Sequence, residues 1–223
     1  MAAYDIAISS SAGGVGRRQL FGFAAAGVAA ALLARPGLAR AASYAEGSGA
    51  AAPIKVLSDA LVRAMQAGTR TPFAQRYAIV APAIDRAFDL QTILRVSVGP
   101  RWASMTPDEQ TKLLDVFRRY TIASYVANFD SYSGQTLGIT PSSRALPGGE
   151  QLVDTTIGDA KLSYVMRQVG GQWKAVDVLA DGSISRVAVQ RSDFRSVIAS
   201  GGSQALMASL QRKVSDLSGG SLA

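Results

Sequence analysis

The 223-residue sequence contains no cysteine and no histidine. The first absence excludes disulfides, a thiol nucleophile, a thiolate metal site and a lipidated N-terminal cysteine. The second removes the commonest general base, the usual partner of a serine or cysteine nucleophile, and the commonest transition-metal ligand. Charge is scarce as well, at 17% of residues, and it forms no polybasic tract, which leaves a nucleic-acid reading without support. Asp, Glu, Lys, Tyr and Ser remain for chemistry. Among the sixteen acids, Asp108 and Glu109 fit a helix cap. Asp85 and Asp89 stand one helical turn apart and can meet, both near a helix end. A glycosidase needs two carboxyl groups roughly 5–9 Å apart in a cleft, which spacing along the chain does not establish. There is no Gly-x-Ser-x-Gly elbow, and the Gly-rich stretch Gly13-Gly14-Val15-Gly16 has no phosphate-loop lysine. No feature supports an enzyme, and no catalytic residue, metal ligand or cofactor is expected.

The N-terminus has the anatomy of a secretory signal: charge, an apolar core, then a small-residue exit. Arg17 and Arg18 precede an apolar stretch from Leu20 to Ala34, shorter than the roughly 20 residues that span a bilayer. Ala39 and Ala41 fit cleavage after Ala41. Arg17-Arg18-Gln19-Leu20-Phe21 looks like a twin-arginine export address; the competing reading of this stretch is a membrane anchor. Residues 1–41 carry four Arg and one Asp. Without them, 19 basic and 15 acidic residues remain, net +4, against +7 for the whole chain. That mild excess favours solubility and passing contact with anionic headgroups. The remaining 182 residues suit one domain with a sizeable core.

Residues 42–52 are mostly small and read as a flexible leader to a single domain over 53–218. Pro53 suits a first helical position. Ile54, Leu57, Leu61 and Met65 recur at helical spacing up to Gly68. A second helix opens at Thr71-Pro72 with Thr71 as its cap and runs to Phe88, with a kink expected at Pro82. Asp89 caps a short third helix that Gly99-Pro100 ends. Thr106-Pro107-Asp108-Glu109 is a capping box opening a helix over 107–132. Leu113, Phe117 and Tyr120 form one apolar stripe on it; Ile122, Tyr125, Phe129 and Tyr132 form another. Two stripes mean two buried neighbours, or a core and a cavity.

After Ser133-Gly134 the period becomes alternating. Segments near 136–144, 150–157, 161–169 and 172–180 read as strands, with short turns at Gly158-Asp159 and Gly170-Gly171 that predict antiparallel hairpins. Leu162, Tyr164 and Met166 face one way, Val165 and Val169 the other. Trp173 and Leu179 oppose Val176 and Val178. Apolar residues on both faces imply that both are partly covered. Two helices, separated at Gly201-Gly202, close the chain. The class is α+β.

The aromatics admit two readings, ordinary core or the lining of an apolar cavity. Tyr and Trp suit a cavity mouth, having an apolar body and a polar tip, and an apolar site needs only shape, dryness and a few polar groups. On the cavity reading the lining is Trp102, Phe117, Tyr125, Phe129, Tyr132, Tyr164, Met166 and Val178. Asp177 and Arg191 are expected to be structural, either as an ion pair or through charge-assisted bonds to backbone.

Two series of residues carry a resemblance. Gly99-x-x-Trp102, Gln110, Phe117-Arg118-x-Tyr120, Tyr125 and Tyr132-x-Gly134 come first. Gly171-x-Trp173-Lys174-x-x-Asp177-Val178, Gly182-Ser183, Arg191 and Phe194 follow. Together, over residues 53–217, they resemble the periplasmic component of the Mla phospholipid-transport system, the toluene-tolerance family. The stretch from Asp181 to Phe194 looks most similar to its hopanoid-biosynthesis-associated branch (HpnM). The resemblance implies a four- to five-stranded, cystatin-like antiparallel sheet that encloses, with helices, an apolar lipid cavity. It also implies a non-catalytic shuttle of phospholipid or hopanoid between envelope partners. Those would be an inner-membrane ABC transporter or a hopanoid exporter, and an outer-membrane complex. The alternative is a structural or adaptor protein of an envelope complex that binds no lipid. A histidine-free hydrolase is the third reading.

Overall fold

The computed structural model describes residues 49–134, 137–139, 143–157 and 160–222. The signal, most of the leader, the Gly158-Asp159 turn and parts of the first expected strand lie outside these residues. Helices α1 (Ala52–Ala67), α2 (Phe73–Ala87), α3 (Leu90–Val98) and α4 (Pro107–Asn128) precede the sheet, and α5 (Arg186–Ser218) follows it. The strands are β1 (Leu137–Ile139), β2 (Arg144–Ala145), β3 (Gln151–Ile157), β4 (Ala160–Val169), β5 (Gln172–Ala180) and β6 (Ile184–Ser185). All pairings are antiparallel, in the order β1-β3-β4-β5-β6, with β2 also on β3. This is the α+β arrangement the sequence implies. There are more strands than expected because the described parts of 136–144 form two short pieces and β6 adds another.

Local chemistry sets the helix ends. The Thr106 hydroxyl accepts from the Glu109 N–H at 3.2 Å while the Glu109 carboxylate accepts from the Thr106 N–H at 2.9 Å. Asp89 accepts from the Thr92 N–H at 3.0 Å and so starts α3. Thr71 does not cap α2. Its hydroxyl donates instead to the Ala67 carbonyl at the end of α1, and Pro72 holds the cap position. The expected leader also ends earlier than 52, because Ala50 is already in the core. Asp85 and Asp89 form no acid pair. Arg118 donates to both Asp85 oxygens at 2.7 Å. Both side chains are over a third exposed, so this bridge contributes no more than about 1 kcal/mol.

β5 is the strand on which the helices converge, with α2, α3 and α5 all packing against it. Asp89 N–H donates to the Ala175 carbonyl at 3.0 Å. Just there the register slips: Val165 pairs with Asp177, but Met166 pairs with Ala175. Val176 is therefore the extra residue of a β-bulge. The bulge reverses the alternation that the sequence suggests. Trp173 and Ala175 before it, and Val178 and Ala180 after it, all turn to the core. Val153, Tyr164 and Val178 then form one row across three strands.

α5 is broken at Gly201 and Gly202, where the two expected helices meet. Gly202 has φ 67° and ψ −157°, a region essentially reserved for glycine, and a Cβ at Gly201 would lie 2.9 Å from the Ala205 Cβ. Gly202→Ala is expected to lower stability by about 2 kcal/mol, measured by urea denaturation; an unchanged midpoint would mean the break is not required.

Candidate functional site

A cavity of about 150 Å³ lies between α3, α4, β4, β5 and both segments of α5. Its apolar wall includes Phe88, Ile93, Phe117, Tyr125, Leu162, Val178 and Phe194. Its polar wall includes Asp177, Arg186, Gln190, Asp193 and Lys213. Helical spacing assembles the α5 side: Arg186, Gln190, Asp193 and Phe194 fall at i, i+4, i+7 and i+8, on one face. Phe117, Tyr120, Thr121, Ser124 and Tyr125 do the same on α4.

Aromatic contacts knit the apolar side. Phe88 sits 5.8 Å from Tyr125 and 6.1 Å from Tyr164, ring centre to ring centre. Tyr125 stacks on Phe129 at 6.0 Å, and Phe117 meets Phe194 edge-on at 6.2 Å. Tyr125 and Tyr164 hydrogen-bond through their hydroxyls. Burial raises the Tyr125 hydroxyl well above its ordinary pKa and pushes Tyr164 up to about 12. Both are neutral dipoles at any physiological pH, so neither serves as a base there.

Of the eight expected lining residues, Phe117, Tyr125 and Val178 reach the cavity. Tyr164 stands directly behind Tyr125. Phe129 and Met166 are fully buried core and lie outside the lining. Trp102 is half-buried in a short 3-10 turn after α3, its carbonyl accepting from the Gln110 side chain at 3.0 Å. Tyr132 is exposed, because α4 stops at Asn128 and the chain leaves the helix before reaching it.

Asp177 and Arg191 form no ion pair. Arg191 is exposed on α5, at the point where burial was expected. Asp177 instead accepts from the Val178 N–H at 2.7 Å, the Val187 N–H at 3.1 Å and the Ser185 hydroxyl at 2.5 Å. Ser185 in turn caps α5 by accepting from the Ala188 N–H at 2.9 Å. Asp177 thus latches the start of α5 onto β5 and fixes one wall of the cavity.

Sequence reasoning missed Phe88, Arg186 and Gln190. Phe88 was placed in α2, but it lies in extended backbone just past that helix. A signal for the other two was present: a helix capped at Ser185 places Arg186 and Gln190 on the face of Phe194. Among the described residues no group of three or more acids could hold a metal ion, and no helix is long and apolar enough to cross a membrane.

A sheet wrapped by helices beside a largely apolar cavity is an arrangement suited to holding an apolar ligand. The family model described as MlaC protein matches residues 55–212, and the chain belongs to that family. A similar fold occurs in a solved phospholipid-binding protein from Ralstonia solanacearum, in complex with a phospholipid. The two are 20% identical with a TM-score of 0.65, over 76% of this chain and 99% of that one. No curated protein matches the chain.

Proposed function

We propose that this protein is a periplasmic lipid carrier, exported by a cleavable signal over residues 1–41 through the twin-arginine route. It carries a phospholipid or a hopanoid between an inner-membrane transporter and an outer-membrane partner, without catalysis. The observation that carries the reading is the apolar cavity between β5, α4 and α5, in a chain of the MlaC family. Burial of acyl chain is worth roughly 25 cal/mol per Å², so affinity arises from area and shape without any reactive group. The phospholipid in the Ralstonia protein supports the phospholipid form of the proposal.

A space of about 150 Å³ is roughly that of a cavity that holds one benzene. It admits the end of one chain, and a whole lipid requires the walls to part. The first segment of α5 is bounded by the Asp177 latch at its start and by the Gly201–Gly202 break at its end.

The test is native mass spectrometry with lipid extraction on protein purified from the periplasm of its host. Stoichiometric lipid is expected, and its mass separates phospholipid from hopanoid. A lipid-free mass, reproduced in the native host, would favour the adaptor reading. Val178→Trp is expected to fill the cavity and remove most bound lipid from a folded protein, whereas Val178→Ala leaves lipid content nearly unchanged. Met166→Trp is expected to do something different. Met166 has no exposed surface and no space beside it, so a larger ring overpacks the core and lowers stability by about 1–3 kcal/mol. Normal lipid content in Val178→Trp would place the ligand between the helices alone.

A further inference from the structure

Two side chains that line the cavity each carry a buried nitrogen with no hydrogen-bond partner. Arg186 Nε and Gln190 Nε2 are buried and have no hydrogen-bond partner, and both residues line the cavity. Buried donors are nearly always paired, and an exception calls for an explanation. Here the nearby acceptors do not supply one. Both Asp177 oxygens are already engaged, by Ser185 and by two backbone N–H groups. Asp193, three residues beyond Gln190 on the same face, pairs with neither. Arg186 and Gln190 are one helical turn apart, so their donors converge on the same side of α5. Lys213 adds a second positive charge to this wall. The cavity therefore has an apolar interior beside a polar edge where Arg186 and Lys213 stand among the carboxylates of Asp177 and Asp193, and where two donors lack an acceptor.

We infer that Arg186 and Gln190 recognise the phosphodiester of a glycerophospholipid at the point where its chains enter the cavity. This inference rests on the lipid-carrier reading and adds the headgroup chemistry to it. A phosphodiester is the fitting partner because it brings only acceptors and a negative charge. A guanidinium N–H and an amide N–H can then both donate without meeting another donor. A lipid hydroxyl brings a donor into the same space and offers no charge to Arg186.

The experiment uses protein purified from the periplasm and stripped of lipid, as wild type, Arg186→Met and Gln190→Leu. Both substitutions keep apolar volume and delete donors. Binding is measured for dioleoyl phosphatidylglycerol, for dioleoylglycerol, which has the same chains and a hydroxyl in place of the phosphodiester, and for inorganic phosphate. Wild type is expected to prefer phosphatidylglycerol by roughly tenfold or more, the factor that a hydrogen bond to a charged group confers. Each variant shrinks that preference toward one, because it loses far more affinity for phosphatidylglycerol than for dioleoylglycerol. The empty Gln190→Leu protein is expected to melt no lower than wild type, since an unpaired buried donor destabilises the empty fold. A lower melting temperature would assign Gln190 to the fold and overturn the inference. So would an undiminished preference in both variants, or an equal loss of both lipids. Inorganic phosphate binding as tightly as phosphatidylglycerol would make this a free-anion site and overturn it too. Wild type binding both lipids equally defeats the headgroup assignment alone; wild type binding neither defeats the carrier reading with it.

Discussion

Asp177→Ala is expected to lower the melting temperature by roughly 10 °C and to loosen the lipid site with it. The carboxylate accepts from two backbone N–H groups and one hydroxyl, and alanine leaves all three without their partner. A hydrogen bond to a charged group contributes about 1.5–3 kcal/mol. The side chain is half-buried, so water replaces part of what is lost. A net loss of roughly 3 kcal/mol follows, and a domain of this size shifts by about 2–4 °C per kcal/mol. The damage is local in origin: Ser185 loses the group that orients its hydroxyl, and Ser185 is the cap of α5. Asp177→Asn keeps one acceptor oxygen for the backbone donors and is expected to recover more than half of the loss. Thermal melts by circular dichroism and lipid content by mass spectrometry are read on the same samples. Unchanged melting with lipid lost would make Asp177 a ligand contact and not a latch.

How much of this was legible beforehand depends on the range of the interaction that decides each feature. The capping box at Thr106 and Glu109 is complete within four residues, and it formed as the sequence implies. The Gly170-Gly171 turn is equally local: φ values of 56° and 78° are what a two-residue hairpin needs. The α5 break at Gly201-Gly202 was legible for the same reason. The Val176 bulge was not, because it is set by the Val165–Asp177 and Met166–Ala175 pairings across the hairpin and by the α2–α3 link arriving at Ala175. Strict alternation put Val176 and Val178 on one face; the bulge divides them. Tyr132 was lost to the site because an apolar stripe does not announce where its helix stops, and α4 releases the chain at Phe129. Arg191 failed for a related reason. A charged residue within an apolar pattern was read as buried and paired, while α5 turns it to solvent. Composition carried more than any single position: without His or Cys, only burial and a few polar donors were left to define a site, and the cavity has that character.

Alkali is expected to unfold this protein from about pH 10 upward, through Tyr125 and Tyr164. In the unfolded chain a tyrosine loses its proton near pH 10. In the folded chain burial raises both hydroxyls, Tyr164 to about 12 and Tyr125 well above its ordinary value. The Arg186 charge pulls Tyr125 the other way, but less than burial pushes it up. Below pH 10 both states hold these protons, and stability is indifferent to pH on their account. Between pH 10 and 12 the unfolded state binds fewer protons than the native one, so stability falls as pH rises. Tyr164 alone, pushed up to about 12, removes roughly 2 kcal/mol by pH 12. Burial raises Tyr77 and Tyr120 in the same direction. The measurement is a urea midpoint at successive pH values, with phenolate absorbance recorded alongside. Phenolate from the buried pair should appear together with unfolding and not before it. Tyr164→Phe removes one of the two protons at issue and leaves Tyr125 without its acceptor, so it is expected to start less stable and to lose stability less steeply above pH 10. Early phenolate absorbance in a folded protein would mean that water reaches Tyr125 and Tyr164 and that burial does not hold their protons.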